Sequence, residues 1–251
     1  MKKFYLLLPV LLFSVSTLFS QVSIKDSSIA TPMIGISYGY YLSAGDMVKR
    51  FGNNSALQLN VDHKTKYNWI IGINGSYFFG NKIKDHLFDS IATSSGDHIS
   101  EEGELGDIRL FERGFTVSAT LGRLIPLGKR PNPNSGLRFD LGFGFMQHKI
   151  RIESIGNNVP QLSKEYKKGY DKLSNGFLLT ESLGYLYLSN NRISNLYIGL
   201  ECMQGFTQSR RSYDFMTMQR DTQKRLDVLY GARIAWILPL YKKAPQEFYT
   251  Y

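Results

Sequence analysis

Beyond residue 20 no stretch offers the roughly 18 consecutive uncharged apolar residues that a membrane-crossing helix requires. What recurs instead is a shorter pattern: eight runs in which large apolar residues alternate with small or polar ones. Strict alternation is the period of a strand whose two faces meet different media. In "LRFDLGFGFMQ", residues 137–147, Leu137, Phe139, Leu141, Phe143 and Phe145 share one face while Arg138, Asp140, Gly142 and Gly144 share the other. "MIGISYGYYLS" (33–43), "ALQLNVD" (56–62), "WIIGINGSYFFG" (69–80) and "FTVSATLGRL" (115–124) precede it, and "GFLLTESLGYLYL" (176–188), "LYIGLECMQGF" (196–206) and "DVLYGARIAWILPL" (227–240) follow. In the sixth run Glu181 falls on the apolar parity, which calls for a bulge or a different strand position.

Alternation alone fits a soluble sandwich as well as a membrane barrel, and the connections separate the two. Runs two and three, four and five, and six and seven are joined by "HKTKYN", "IPLGKRPNPNSG" and "SNNRIS", whereas the remaining connections are mostly longer and polar, the longest covering 81–113. A sandwich has no need of that rhythm. A bacterial outer-membrane barrel does, because its periplasmic turns stay short while its extracellular loops grow. The expected fold is therefore all-β: an eight-stranded antiparallel up-and-down transmembrane β-barrel with short periplasmic turns and longer extracellular loops. Eight strands enclose a lumen just wide enough to be filled by side chains, so Arg138, Asp140, Glu201, Asp227 and Arg233 are expected to point inward and pair as a polar network. Closure is required, since an open strand edge in hydrocarbon leaves backbone groups unsatisfied.

The chain opens "MKKFYLLLPVLLFSVSTLFSQ", a basic start, an apolar run and a small residue before Gln21, the layout of a secretory signal peptide. The expected organisation is a signal peptide over 1–20, a periplasmic segment over 21–31, the barrel over 32–241 and a periplasmic tail over 242–251. That tail, with Phe248, Tyr249 and Tyr251, carries three aromatics within four residues. Cys202 is the only cysteine, so no intramolecular disulfide can form. The formal charge is +9, and the chain stays strongly basic without Lys2 and Lys3. Export argues against nucleic acid as the acidic partner and leaves anionic lipid. Lys164, Lys167, Lys168 and Lys172, then Arg210, Arg211, Arg220, Lys224 and Arg225, fall in the expected outer loops, where Lys167, Lys168, Arg210 and Arg211 are candidate contacts for lipopolysaccharide phosphates.

Evidence for catalysis is thin. A hydrolase needs Ser, His and a carboxylate within hydrogen-bond reach, and Ser182, His148 and Glu201 could be proposed, though their spacing does not single them out. His63 is expected at a short turn. His86 and His98, with Asp97, Glu101 and Glu102, could hold a metal, but loop histidines are usually solvated. No cofactor is expected.

From Thr31 to Tyr241 the chain resembles the small outer-membrane barrels of Gram-negative bacteria, the outer-membrane-protein-A-like and "outer membrane protein beta-barrel domain" class, in architecture rather than in motif. The "LFSQ" junction and "GNNVPQLSKEYKKGYDKLSNGFLL" look like exported barrels of Bacteroidota. The resemblance implies an outer-membrane location and a non-enzymatic structural or accessory role in an envelope or type IX secretion complex. A small transport channel or a lipid A-modifying enzyme is the alternative. One departure stands out: such barrels usually end on an aromatic residue of the last strand, whereas here "YKKAPQEFYTY" follows.

Overall fold

The computed structural model describes residues 27–85, 87–88, 103, 107–128, 132–155, 162, 164–189 and 193–241. The expected signal peptide, the tail and the cluster of His86, His98, Asp97, Glu101 and Glu102 lie outside them. Eight strands, β1 (Thr31–Gly45), β2 (Asn54–Lys64), β3 (Trp69–Gly80), β4 (Asp107–Ile125), β5 (Gly136–Ile155), β6 (Ser174–Tyr187), β7 (Leu196–Ser209) and β8 (Lys224–Pro239), pair each with the next in an antiparallel ring. β1 closes on β8 from Met33 opposite Pro239 to Gly45 opposite Asp227. Two short helices, α1 (Met47–Arg50) and α2 (Lys164–Tyr170), sit in the connections. No described helix is long and apolar enough to cross a membrane.

The residues between strands define two unlike ends. Connections 65–68, 126–135 and 188–195 make a short-turn end, and 46–53, 81–106, 156–173 and 210–223 make a long-loop end. The tightest turn closes because the Asn68 N–H reaches Thr65 O at 3.1 Å while Asn68 takes φ 64°, a conformation that asparagine tolerates better than most residues.

The alternation dictates the wall. Large apolar side chains face outward all round the ring, from Ile36 and Leu59 to Ile73, which is 61% exposed, Phe143, Leu200 and Ile234. A closed barrel with this belt and no open edge is built to stand in hydrocarbon. Trp69, Tyr185, Tyr187 and Trp236 ring the short-turn side of the belt, and Tyr38, Tyr40, Tyr77, Phe115 and Phe206 ring the other, where amphipathic rings favour a membrane interface. No bulge rescues Glu181. Leu141, Glu181 and Cys202 pair continuously across β5, β6 and β7, so this carboxylate stays on the outer face.

β4 and β5 run well past the segments expected from sequence, by 107–114 and 148–155. The cause is a reversal of pattern. In "KIRIE", Lys149, Arg151 and Glu153 keep the outward parity while Ile150 and Ile152 are buried inside, and across the pair Arg113 faces out while Glu112 faces in. Below this level the outside is oily and the inside polar, and above it the preference inverts, because water now lies outside and loops cover the inside. A reading that seeks only outward apolar residues stops where the wall leaves the bilayer.

Two apolar clusters plug the lumen, one at each end. Phe51, Phe78, Met146, Ile150, Tyr170 and Met203 belong to the long-loop plug, and Met33, Ile70, Leu124, Leu186, Tyr197 and Ile237 to the short-turn plug. Glycine makes room for the largest of these. Gly184 and Gly199 lie opposite each other, and a Cβ on either would come within 2.7 Å of the Tyr197 ring or hydroxyl.

Candidate functional site in the lumen

Inside the barrel the charged residues expected from sequence fall into three separate groups rather than one network. Nearest the short turns, the Arg138 Nη1 stands 2.9 Å from Asp62 Oδ2 and its Nε 2.8 Å from Asp140 Oδ2, while the Ser182 hydroxyl donates to the same Asp140 oxygen at 3.0 Å. In the middle, Tyr41 donates its hydroxyl hydrogen to Glu201, and Gln58 Nε2 reaches Glu201 at 2.9 Å. Arg233 Nη1 donates to Gln58 Oε1 at 2.8 Å and lies 3.4 Å from Glu201. The Tyr197 ring stands between the two cations, 5.8 Å from the Arg138 guanidinium and 4.9 Å from that of Arg233. An aromatic face attracts both and separates like charges.

The third group gathers at the long-loop end around Asp227, which is fully buried. Arg50 Nη2 reaches Oδ1 at 2.5 Å, His148 Nε2 reaches Oδ2 at 2.8 Å and Thr207 donates to Oδ2 at 2.5 Å. Arg50 comes from α1, so the 46–53 connection at the long-loop end is tied into the lumen by an ion pair. The following Phe51 packs edge-on against His148, with centroids 5.4 Å apart. Buried charges are tolerated only when paired and hydrogen-bonded in this way.

All five charged residues expected inside are buried there: Arg138, Asp140, Glu201, Asp227 and Arg233. Their expected common network is corrected. Arg138 pairs with Asp140, Arg233 with Glu201, and Asp227 with neither arginine. Parity marks which side chains turn inward, but which of them meet is set by the stagger of the closed barrel and by loop residues such as Arg50. Asp62, Gln58 and Tyr197 lie on the polar parity of their runs, so alternation signalled their direction but not their partners. Tyr41 also has inward parity but looks like another outward aromatic.

The suggested catalytic trio does not assemble. Ser182 bonds Asp140, Glu201 bonds Tyr41 and Gln58, and His148 bonds Asp227. His148 Nδ1 has no hydrogen-bond partner, so no nucleophile stands where a relay would need one. His63 belongs to β2 and faces outward rather than sitting in a turn. Among the described residues no group of three or more His, Cys, Asp or Glu could hold a metal.

The basic residues of the long-loop end differ in how far they are engaged. Arg211 pairs with Asp171, whose carboxylate holds the guanidinium more firmly protonated than usual, and Arg210 Nε donates to Asn175 at 2.5 Å. Lys167 and Lys168 lie in the last turn of α2, with Lys168 exposed. Lys224 and Arg225 are not loop residues, as expected from sequence, but the first two of β8. At the N-cap of α1, Asp46 accepts from Lys49 Nζ at 2.8 Å and from the Leu226 N–H at 3.1 Å, and these donors, Lys49 foremost, hold its carboxyl below the usual carboxylate range.

In sequence, neither a family model nor a curated protein matches this chain. In structure, it is similar to Ail, the attachment invasion locus protein of Yersinia pestis, solved in complex with the heparin analogue sucrose octasulfate. Identity is 12%, 83% of this chain and 99% of that one are covered, and the TM-score is 0.41. It is also similar to the outer membrane protein OprG from Pseudomonas aeruginosa, at 11% identity, 86% and 99% coverage and a TM-score of 0.32. The ring of backbone hydrogen bonds, rather than these distant likenesses, establishes the barrel.

Proposed function

We propose that this chain is a non-enzymatic barrel of the bacterial outer membrane, a structural or accessory component of the envelope, with the short turns in the periplasm and the long loops outside. The observation that carries the reading is the filled lumen. Two apolar plugs and three buried polar groups occupy its length, inside a wall whose apolar belt suits lipid. A transport channel needs an open water path, and a lipid-modifying enzyme needs a nucleophile beside its base. Neither alternative has such an observation behind it. A role beside secretion proteins belongs to this same reading. Lys167, Lys168, Arg210 and Arg211 would contribute to contacts with lipopolysaccharide at the loop end, Lys168, Arg210 and Arg211 while keeping interactions within the chain.

Planar-bilayer recording of the purified full chain tests this. The expected result is no stable conductance, together with faster migration of unboiled than boiled protein on a gel. Large, long-lived open states would overturn the occluded lumen. Solubility without detergent would overturn the membrane assignment itself.

A further inference from the structure

The reversal of pattern on β4 and β5 fixes where the wall emerges from the bilayer, and cations gather on the outer face at that level. Ser55, Phe79, Arg113 and Lys149 lie opposite one another in a single row across β2 to β5, with Phe111 opposite Arg151 one step above and Leu57, Tyr77, Phe115 and Gln147 one step below. Arg113 and Lys149 are therefore a directly opposed pair of like charges, an arrangement that costs stability unless something neutralises it. Among the described residues little does so. Glu112, next in the chain, is turned inward and fully buried, and Glu153 is engaged with Arg151 at 2.6 Å. Lys149 is exposed, and its ammonium meets no partner among the described residues.

Arg113 is nonetheless held in place. Its Nη1 donates to Glu112 O at 2.7 Å and to Gly80 O at 3.4 Å, and its guanidinium lies 4.8 Å from the Phe111 ring. Its Nη2 and Nε are bound to no partner among the described residues. Clefts of about 380 and 350 Å³ flank it on the outer wall, the first bordered by Tyr40, Phe79 and Lys82, the second by Tyr77, Lys149 and Arg151. A fixed guanidinium fork with ammonium groups to each side is the donor set for a phosphate. The exposed Tyr77, Phe115, Val117 and Leu57 directly below are a surface for acyl chains.

We infer that Arg113, Lys149, Arg151 and Lys82 form a binding site for a phosphorylated glycolipid of the outer leaflet, its phosphates on the cations and its chains along the aromatic row beneath. The site rests on the outer-membrane reading above and uses cations other than Lys167, Lys168, Arg210 and Arg211, although Arg210 reaches its Gln147 edge through Asn175. A membrane lipid is the occupant rather than a soluble polyanion because the clefts open sideways, onto the level where headgroups lie.

Native mass spectrometry of the full chain released from nanodiscs tests the site, with phosphatidylcholine alone, phosphatidylcholine plus bisphosphorylated lipid A, plus dephosphorylated lipid A, or plus phosphatidylglycerol. Wild type is expected to retain bisphosphorylated lipid A above the other lipids. R113Q/K149Q should lose about tenfold of that retention, the worth of one or two charge-assisted hydrogen bonds, while K167Q/K168Q keeps it. The single K149Q, which removes an unpartnered exposed charge, carries the test if the double variant does not fold, with about threefold loss expected. Equal retention of all four lipids, or retention unchanged by either variant, overturns the site. Displacement of bound lipid A by soluble inositol hexakisphosphate at comparable concentration overturns the lipid as its occupant. The heat-dependent gel shift is read in every nanodisc: a chain that inserts in none refutes the membrane reading, whereas one that inserts and ignores the phosphates refutes only this site.

Discussion

The two ends of the lumen solve the same problem with opposite charges. At the short-turn end a cation sits in the centre: Arg138 lies between Asp62 and Asp140, and all three belong to strands of the ring. At the long-loop end an anion sits in the centre: Asp227 collects Arg50, His148 and Thr207, and Arg50 arrives from a helix outside the ring. Losing the central group strands two like charges in one case and two or three donors in the other. The strand-built end therefore bears on whether the barrel closes. The other end bears on how the 46–53 connection is seated. A buried ion pair is weak evidence for stability in itself, but removing one partner is costly, and the two ends differ in which partner can be spared.

The largest effect is expected from Arg138→Met. It leaves Asp62 and Asp140 facing each other without their cation, and the cost should be about 3–5 kcal/mol in denaturant unfolding of the lipid-inserted protein. The triple variant R138M/D62N/D140N, which removes the stranded charges, should recover most of that loss. If the triple variant is no more stable than the single one, the contact of the Arg138 guanidinium with the Tyr197 ring is the larger contribution, and the two ends are less alike than their charges suggest.

Arg50→Met should cost less, about 1.5–3 kcal/mol, because Asp227 retains His148 and Thr207 when one charged hydrogen bond is lost. Its signature should be local. Limited proteolysis within 46–53 is expected to speed up while the gel shift of the intact barrel persists. Loss of the gel shift with no change in loop cleavage would show that Arg50 serves closure, as Arg138 does, and would erase the distinction between the ends.

How much of this could be read from the chain differs along each strand. Within the apolar belt the period of two was sufficient, because lipid outside and small or polar side chains inside impose opposite demands on successive residues. β3 begins at Trp69 and ends at Gly80, as the spacing predicts. Above the belt the demands exchange, and Lys149 to Glu153 read as loop although they are strand. Partners were less legible than directions. Nothing near Arg138 in sequence points to Asp62, which is brought to it by the stagger of β2 against β5, and nothing near Asp227 points to Arg50, which depends on a four-residue helix. Glu181 is the reverse case. Its parity was read correctly as outward, and the bulge invoked to move it does not exist.

The smallest effect concerns the exposed half of the same α1 anchorage. Asp46 and Leu226 exchange two hydrogen bonds, the Asp46 N–H to Leu226 O at 2.8 Å and the Leu226 N–H to the Asp46 carboxylate at 3.1 Å, beside the buried Arg50 to Asp227 pair. Lys49 and the Leu226 amide hold the folded Asp46 pKa below its ordinary 3.8. A carboxyl depressed by folding contributes stability that is complete above the ordinary value and drains away as pH falls through the folded one. Asp46 is partly exposed, so solvent and salt screen the contribution. Asp46→Asn keeps an acceptor for the Leu226 amide and removes only the charge. Hydrogen exchange at Leu226 should therefore be slightly faster in the variant at neutral pH, and the difference should vanish only once pH has fallen through the depressed folded pKa and the aspartate is as neutral as the asparagine. Added salt should shrink it as well. A difference that survives acid and salt would mean that the carboxylate geometry, not its charge, seats α1, and the outer anchorage would then resemble the buried one beneath it.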